Sequence, residues 1–513
     1  MTVLKRVLLS TLAFVGTLGA PQRARAIGAG DANTIFDAWN KALLIRSGGD
    51  VFYRSRLNEA KPDKSWTGSL DILVAIDAYE RTGDPNRKTL VNDLLNTWLK
   101  NNRPPWDWNW WNDDLGWYAN ALVRGYLVTG NAEFLKQAKY GFDHAFNRGW
   151  DTKYNGGGIW EENPEGTAKE KPPKEPTKEA LSNDSLGKVA CLIYQATHDS
   201  TYLSKCKQIY DWVHSRLYNA NTGQINTGID KQNKLQTGAA AYNRGTFLDY
   251  AAILFECTGT SSYKADAQKA LDFARSDKLT KSGIYSNDGT QLNTWADEVA
   301  RGAGRFIHDH QLWDTYHPWF IQNAEAIMKN RRSDRGITDN AWSRPTPKDD
   351  TAKANVFASA VAWLQYTPAT NPGKIGGIHY IVNKKTGQYI DNENTYGDGK
   401  RVVQWSYSGW QTQRWQFSQN SDGTWNIISL ASFKALDNPN GSKDDGKVMV
   451  QWSRNRNSNQ RWLVEPQSDG SYAIKNQASG KYLDGASSTA NGGELKQWGW
   501  NGQDQQRWIL KQV

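Results

Sequence analysis

The strongest constraint on how this chain can fold is a repeat. Gln413-Arg414-Trp415, Gln460-Arg461-Trp462 and Gln506-Arg507-Trp508 recur at spacings of 47 and 46 residues. Gln404-Trp405, Gln451-Trp452 and Gln497-Trp498 recur in the same register, as do Tyr389-Ile390-Asp391, Ala435-Leu436-Asp437 and Tyr482-Leu483-Asp484. A fixed period marks one supersecondary unit in several copies, each of which buries its apolar face against its neighbours. Each copy consists of short alternating runs broken by Gly, Asn, Asp and Ser, the pattern of β-strands and turns. Three such units, each closed by one Trp, fit a threefold barrel.

The region before the repeat follows another period. Segments such as Leu70–Tyr79, Leu115–Val128, Leu186–Tyr194 and Gly245–Phe255 place apolar residues at i, i+3, i+4 and i+7. The pattern predicts about twelve helices, centred near residues 38, 74, 93, 121, 138, 187, 208, 247, 270, 302, 322 and 357. Paired helices without a strand signal suggest an α-hairpin toroid, with an irregular helical array as the alternative. Glu165–Thr177 reads as a polar loop, and Tyr366–Gly373 as a short linker rich in Pro, Thr and Asn. The expected division is 27–366 helical domain, 367–375 linker and 376–513 β domain.

The formal charge of +9 raises the possibility of a nucleic-acid partner. Four of the positive charges (Lys5, Arg6, Arg23, Arg25) lie in residues 1–26, which also carry an apolar run and end Ala24-Arg25-Ala26. That is the pattern of a cleaved signal peptide, so secretion is expected and the mature charge falls to about +5. No later run of five Lys/Arg exists. The expectation is therefore no nucleic-acid partner and no membrane span. Three Cys do not make a disulfide scaffold; Cys191 and Cys206 can be bridged or free.

Trp is the compositional anomaly, with 25 copies against 3 Met. Its N–H needs a partner when buried, so an excess suggests exposed flat platforms, for sugars or for bases. Five of these Trp fall within residues 106–117, in Trp106-Asp107-Trp108-Asn109-Trp110-Trp111-Asn112-Asp113-Asp114-Leu115-Gly116-Trp117. Asn112 is the expected N-cap, placing Asp113 and Asp114 in the first helical turn. Acidic residues there are favoured by the helix dipole alone. In an aromatic pocket, however, a carboxyl can stay protonated near neutral pH, and glycoside hydrolysis uses two carboxyls. Asp297-Glu298, on the tenth helix, reads as a solvated face or the rim of a subsite. His308 and His310 do not share a helical face, and Gly156-Gly157-Gly158 lacks the Lys-Ser/Thr of a phosphate loop, so no metal or cofactor is expected.

The repeat resembles the ricin B-type β-trefoil, carbohydrate-binding module family 13. The resemblance implies sugar pockets at Asp391 with Trp405, Asp437 with Trp452, and Asp484 with Trp498. The Asn that precedes Gln-x-Trp in that family is present only as Asn459, which ranks the second pocket best. The family's half-cystines are missing from all three repeats.

Asn112-Asp113-Asp114-Leu115-Gly116-Trp117, Gly157-Gly158-Ile159-Trp160, Ala180-Leu181-Ser182-Asn183 and Tyr242-Asn243-Arg244-Gly245 resemble, in order, glycoside hydrolase family 76. The resemblance implies an (α/α)6 toroid and retaining cleavage of α-1,6-mannan. Asp113 would be the nucleophile and Asp114 the acid/base. Trp110, Trp111, Trp117, Trp160, Asn183, Tyr242, Asn243 and Arg244 would bind substrate. Arg244 stands where that family more often has Gln. The expectation is a monomeric, secreted, cofactor-free mannan hydrolase anchored by a lectin. The alternatives are a cell-wall lectin or transglycosidase with little hydrolysis, or the same fold acting on another α-glycan.

Overall fold

In the computed structural model, the described residues are 26–513 apart from 167–170, 172, 239, 277–279, 282, 286–295, 374 and 421. The expected signal segment, save Ala26, lies outside them. Among the described residues twelve α-helices appear where the periodicity places them. The first six are α1 (Asp31–Leu43), α2 (Trp66–Thr82), α3 (Pro85–Asn101), α4 (Asn112–Thr129), α5 (Ala132–Gly149) and α6 (Ala180–Thr197). The rest are α7 (Ser200–Arg216), α8 (Ala241–Thr258), α9 (Ser261–Ser276), α10 (Ala296–Asp309), α11 (Trp313–Lys329) and α12 (Ala358–Gln365). Among the described residues no helix is long and apolar enough to cross a membrane.

The even-numbered helices pack side by side in a closed ring, α12 returning to α2. They are buried nearly all round, whereas odd-numbered helices such as α3, α7 and α9 bury only a stripe. This is an (α/α)6 toroid: an inner ring within an outer one. Close packing of the inner ring explains part of the sequence motif at α4. A Cβ at Gly116 would lie 2.4 Å from the Ser185 hydroxyl of α6. Short hairpins, such as 44–47 with 50–53, join the helices; they are too short to show in a periodicity.

The inner helices are parallel, so polar side chains along the axis must satisfy one another. Asp77 of α2 accepts from Arg301 of α10 at 2.7 Å, Arg124 of α4 at 3.0 Å and the Tyr366 hydroxyl at 2.8 Å. Arg301 also pairs with Glu298, which accepts from Lys188 of α6 at 2.8 Å; Asp249 of α8 joins through Lys188 and Arg305. Asp297 and Glu298 are each 1 % exposed, so the solvated-face reading of this pair is corrected: they are struts of the core. Cys191 and Cys206 are bridged, tying α6 to α7 with Cα atoms 5.5 Å apart.

The C-terminal part is a β-trefoil. Its first strand, Gly377–Asn383, pairs antiparallel with its last, Arg507–Gln512, closing the barrel. Trp415, Trp462 and Trp508 are fully buried, and each indole N–H donates to a backbone carbonyl, of Ile390, Leu436 and Leu483 respectively. The Gln of each Gln-x-Trp (413, 460, 506) donates to the carbonyl of Ser406, Ser453 or Gly499 and accepts the N–H of Ser408, Asn455 or Asn501. Both repeated residues thus hold the barrel.

The trefoil docks where the inner helices end. Arg456 donates to the Tyr79 and Glu80 carbonyls at the end of α2, and Gln512 to the His310 carbonyl just past α10. Phe255, Ile378 and Leu430 form a small apolar cluster across the seam. The last turns of all six inner helices line a cavity of about 680 Å³ there, opposite the trefoil.

Replacing Arg301 with Leu removes the cation that Asp77 and Glu298 share, leaving Asp77 to Arg124 and Tyr366 and Glu298 to Lys188. The expected loss is about 3–5 kcal/mol of unfolding free energy, read by urea titration of Trp fluorescence. A loss below about 1 kcal/mol would show that the network is not the strut described here.

Candidate active site

At the other end of the toroid the inner helices begin, and the sequence motifs gather there. Trp111, with φ −90° and ψ 128°, is the N-cap of α4, and Asn112 is the first helical residue. The expectation that Asn112 caps the helix is therefore corrected. Its amide instead donates to the Trp160 carbonyl at 2.8 Å, its carbonyl accepts from Arg148 at 2.6 Å, and its backbone N–H donates to Glu161 at 2.8 Å. Asn183, in the first turn of α6, matches it from the other side. Its amide donates to the Ile159 and Glu179 carbonyls, and its oxygen accepts the Ile159 N–H.

Two asparagines thus clamp residues 159–161 between the starts of α4 and α6. The turn before them has a shape only Gly supplies: Gly158 has φ +92°, and a Cβ there would meet the Trp212 ring at 2.5 Å.

The clamped loop brings Glu161 to the paired aspartates. Asp113 is 8 % exposed, and its Oδ1 has no hydrogen-bond partner among the described residues. Burial, then the charges of Asp114, Glu161 and Glu179, hold its carboxyl far above the ordinary range. Asp114 is partly exposed; burial pushes it up to about 7, opposed by the Asn109 amide that donates to its Oδ2 at 3.0 Å. Glu161 is raised to about 8 and Glu179 to about 7, in both cases chiefly by burial. The Thr177 hydroxyl lies between them, 3.5 Å from Glu161 and 3.3 Å from Glu179. Like charges this close cannot all ionise, so the cluster retains protons near neutrality. Among the described residues no group of His, Cys, Asp and Glu is arranged to hold a metal ion.

The other residues singled out in the sequence divide sharply. Trp111 is 41 % exposed and Trp110 half-buried at the mouth; Tyr242, in the first turn of α8, is partly exposed and feels Glu179, Glu161 and Asp113. These can touch a ligand. Trp117, Asn183, Asn243 and Arg244 are at most 1 % exposed, and Trp160 is 3 % exposed with Lys178 over its ring. These five are enclosed in this structure: Trp117 packs in the core, Asn183 is the clamp, and Arg244 lies over Phe273. Glu161, Glu179 and Asn109 carry no expectation from the sequence, although Glu161 directly follows Gly157-Gly158-Ile159-Trp160 and Glu179 directly precedes Ala180-Leu181-Ser182-Asn183.

A sequence comparison matches residues 47–372 to glycosyl hydrolase family 76, well over half the chain. The chain belongs to this family. It is a glycoside hydrolase, and the clustered carboxyls lie at the toroid end that bears the family's motifs. A second match, to the ricin-type β-trefoil lectin domain-like family, spans residues 363–452 and 458–513.

Three similar solved structures share the toroid. The α-1,6-mannanase GH76A of Salegentibacter sp. HEL1_6 is 22 % identical, with a TM-score of 0.58 over 66 % of this chain and 98 % of that one. A Listeria innocua protein is 20 % identical, with TM-score 0.56 over 66 % and 96 %. A family 76 α-mannanase of Bacteroides thetaiotaomicron is 16 % identical, with TM-score 0.53 over 66 % and 93 %. No curated protein matches the chain.

In the trefoil, Asp437 accepts from Asn459 and Gln460, both at 2.8 Å. Asp391 accepts from the Thr412 hydroxyl at 3.1 Å, so Thr412 fills in the first repeat the role of Asn459 in the second. Asp484 accepts the Ala486 N–H at 2.7 Å. Trp405, Trp452 and Trp498 are all well exposed beside these carboxylates.

Carboxyls with raised values stabilise the fold while protonated. Their contribution is complete below about pH 4 and is lost as the pH rises through about 7 for Asp114 and Glu179 and about 8 for Glu161. Glu161→Gln removes one of these groups, so its melting temperature relative to the parent should be higher at about pH 8.5 than at about pH 5. An equal difference at both pH values counts against the shared-proton cluster.

Proposed function

We propose that this glycoside hydrolase is secreted and cleaves α-1,6-mannosidic linkages with retention of configuration, acting as a monomer anchored by its trefoil to the same wall polysaccharide. The observation that carries the reading is the pair at the start of α4, buried Asp113 and partly exposed Asp114, with Glu161 and Glu179 close by and the exposed Trp111 just before it. A retaining mechanism needs one carboxylate to attack the anomeric carbon and one carboxylic acid to protonate the leaving oxygen.

Asp114, with a value near 7, suits the group that gives up and regains a proton within each turnover. Asp113 is then the nucleophile, the order implied by the family resemblance, and its raised carboxyl must pass its proton to the neighbouring carboxylates before it attacks. Water returns along the path of the leaving group, deprotonated by Asp114, and releases the sugar from Asp113. Exposed Trp rings offer flat faces to the C–H side of a pyranose.

The linkage is proposed from the neighbours. One inactive variant of the Salegentibacter mannanase, with two consecutive aspartates changed to asparagine, was solved with α-1,6-mannotriose. Secretion is supported by the N-terminal pattern and by the Cys191–Cys206 bridge, which suits an oxidising compartment.

Asp113→Asn and Asp114→Asn should each lower turnover on debranched yeast-type α-1,6-mannan at least about a thousandfold while leaving retention on the polymer intact. Full activity in both variants would sink the assignment. The first-formed product, followed by proton NMR, should carry the α-configuration; a β-anomer rules out attack by an adjacent carboxylate.

A further inference from the structure

We propose that the first and third repeats of the trefoil each bind a run of linked sugar rings, whereas the second binds a single ring; this rests on the reading of the trefoil as a lectin. The threefold repeat supplies its own internal comparison. Directly across its antiparallel strand pair, the pocket Trp faces Tyr389 in the first repeat, Ala435 in the second and Tyr482 in the third. Directly opposed residues lie on one face of the sheet, with Cβ atoms about 4.5–5.5 Å apart. Two residues beyond the pocket Trp stand Tyr407, Arg454 and Trp500 in turn.

In the outer two repeats these extra rings meet. Tyr407 lies 5.0 Å from Tyr389 between ring centroids, and Trp500 lies 4.7 Å from Tyr482. A Lys steadies each group from above, Lys511 over Tyr389 and Lys475 over Tyr482, both at 5.4 Å. The added rings are open to solvent: Tyr407 is 60 % exposed and Trp500 41 %. Each pocket therefore continues, beyond its carboxylate and its Trp, into a second exposed aromatic surface.

Among the described residues the second repeat has no matching ring pair. Ala435 offers no ring, and Arg454 lines the cavity at the seam with the toroid. Its pocket ends at Trp452.

The occupant that fits is a glycan chain. An aromatic strip beside a carboxylate matches a row of pyranoses, whose C–H faces cover rings while their hydroxyls donate to Asp391 or Asp484. The Lys beside each ring pair and the carboxylate at its edge would cost desolvation against an apolar protein partner.

The test uses the full chain carrying Asp113→Asn, so that nothing is cleaved and the cleft contributes equally to every comparison. Calorimetry compares methyl α-mannoside with α-1,6-mannotetraose, and methyl β-galactoside with β-1,4-galactotetraose. Tyr407→Ala combined with Trp500→Ala should weaken tetrasaccharide binding at the trefoil roughly tenfold and leave the methyl glycoside unchanged. Tyr407→Phe with Trp500→Phe should retain the parental affinity, which separates lost stacking from lost structure. Equal loss for both ligand lengths, or no loss for the tetrasaccharide, overturns the proposal and spares the lectin reading. Absence of any sugar binding that depends on Asp391, Asp437 and Asp484 overturns both.

Discussion

Six inner helices that all run the same way set the terms for the rest of the molecule. Their dipoles add, leaving a ring of free N–H groups at one end and a ring of free carbonyls at the other. The carbonyl end is met by the trefoil: Arg456 donates to α2, and Gln512 to the segment that follows α10. The N–H end is left open and holds the acidic cluster. Between them, Asp77, Arg124, Lys188, Asp249, Glu298 and Arg301 stitch α2, α4, α6, α8 and α10 together. Each buried charge there has a partner from another helix, so the polarity of the ring and the register of its helices are fixed together.

The active end depends on that register through two asparagines. Asn112 and Asn183 belong to different helices, yet both grip the loop of residues 159–161. Any sliding of α4 against α6 would shift Glu161 relative to Asp113 and Asp114. The raised proton affinity of the pair is thus a property of the helix packing as much as of the side chains. Gly116, which lets α4 approach α6, serves the same end.

Much of this was legible in the sequence, and the failures have a common cause. The twelve helices were readable because the outer ones are amphipathic and several inner ones, α2, α4 and α8, are long and end in a Gly, at Gly83, Gly130 and Gly259. The trefoil was readable because its repeat keeps three features in register. Burial inside the ring was not. Asp297-Glu298 looks solvated in sequence because periodicity assumes that a polar face is a wet face, and in a toroid the innermost face is polar and dry. Asn183 and Trp117 belong to motifs near the chemistry but act on the scaffold, a distinction a motif does not carry. Glu161 and Glu179 stand 18 residues apart and become neighbours only through a loop whose shape is set by Gly158 and the two asparagines.

The trefoil's place on the carbonyl end has a geometric outcome. About 27 Å of helix, the rise of eighteen residues, separates the seam from the cleft. Among the described residues the pocket carboxylates bond within the trefoil, and their Trp partners stay open to solvent. The trefoil and the carboxyl cluster sit at opposite ends of the toroid. A strand gripped by the trefoil cannot slide straight into the cleft without doubling back along the outside of the toroid. For the proposed function this geometry suits a mesh better than a thread: a molecule held on one polymer would cut those around it.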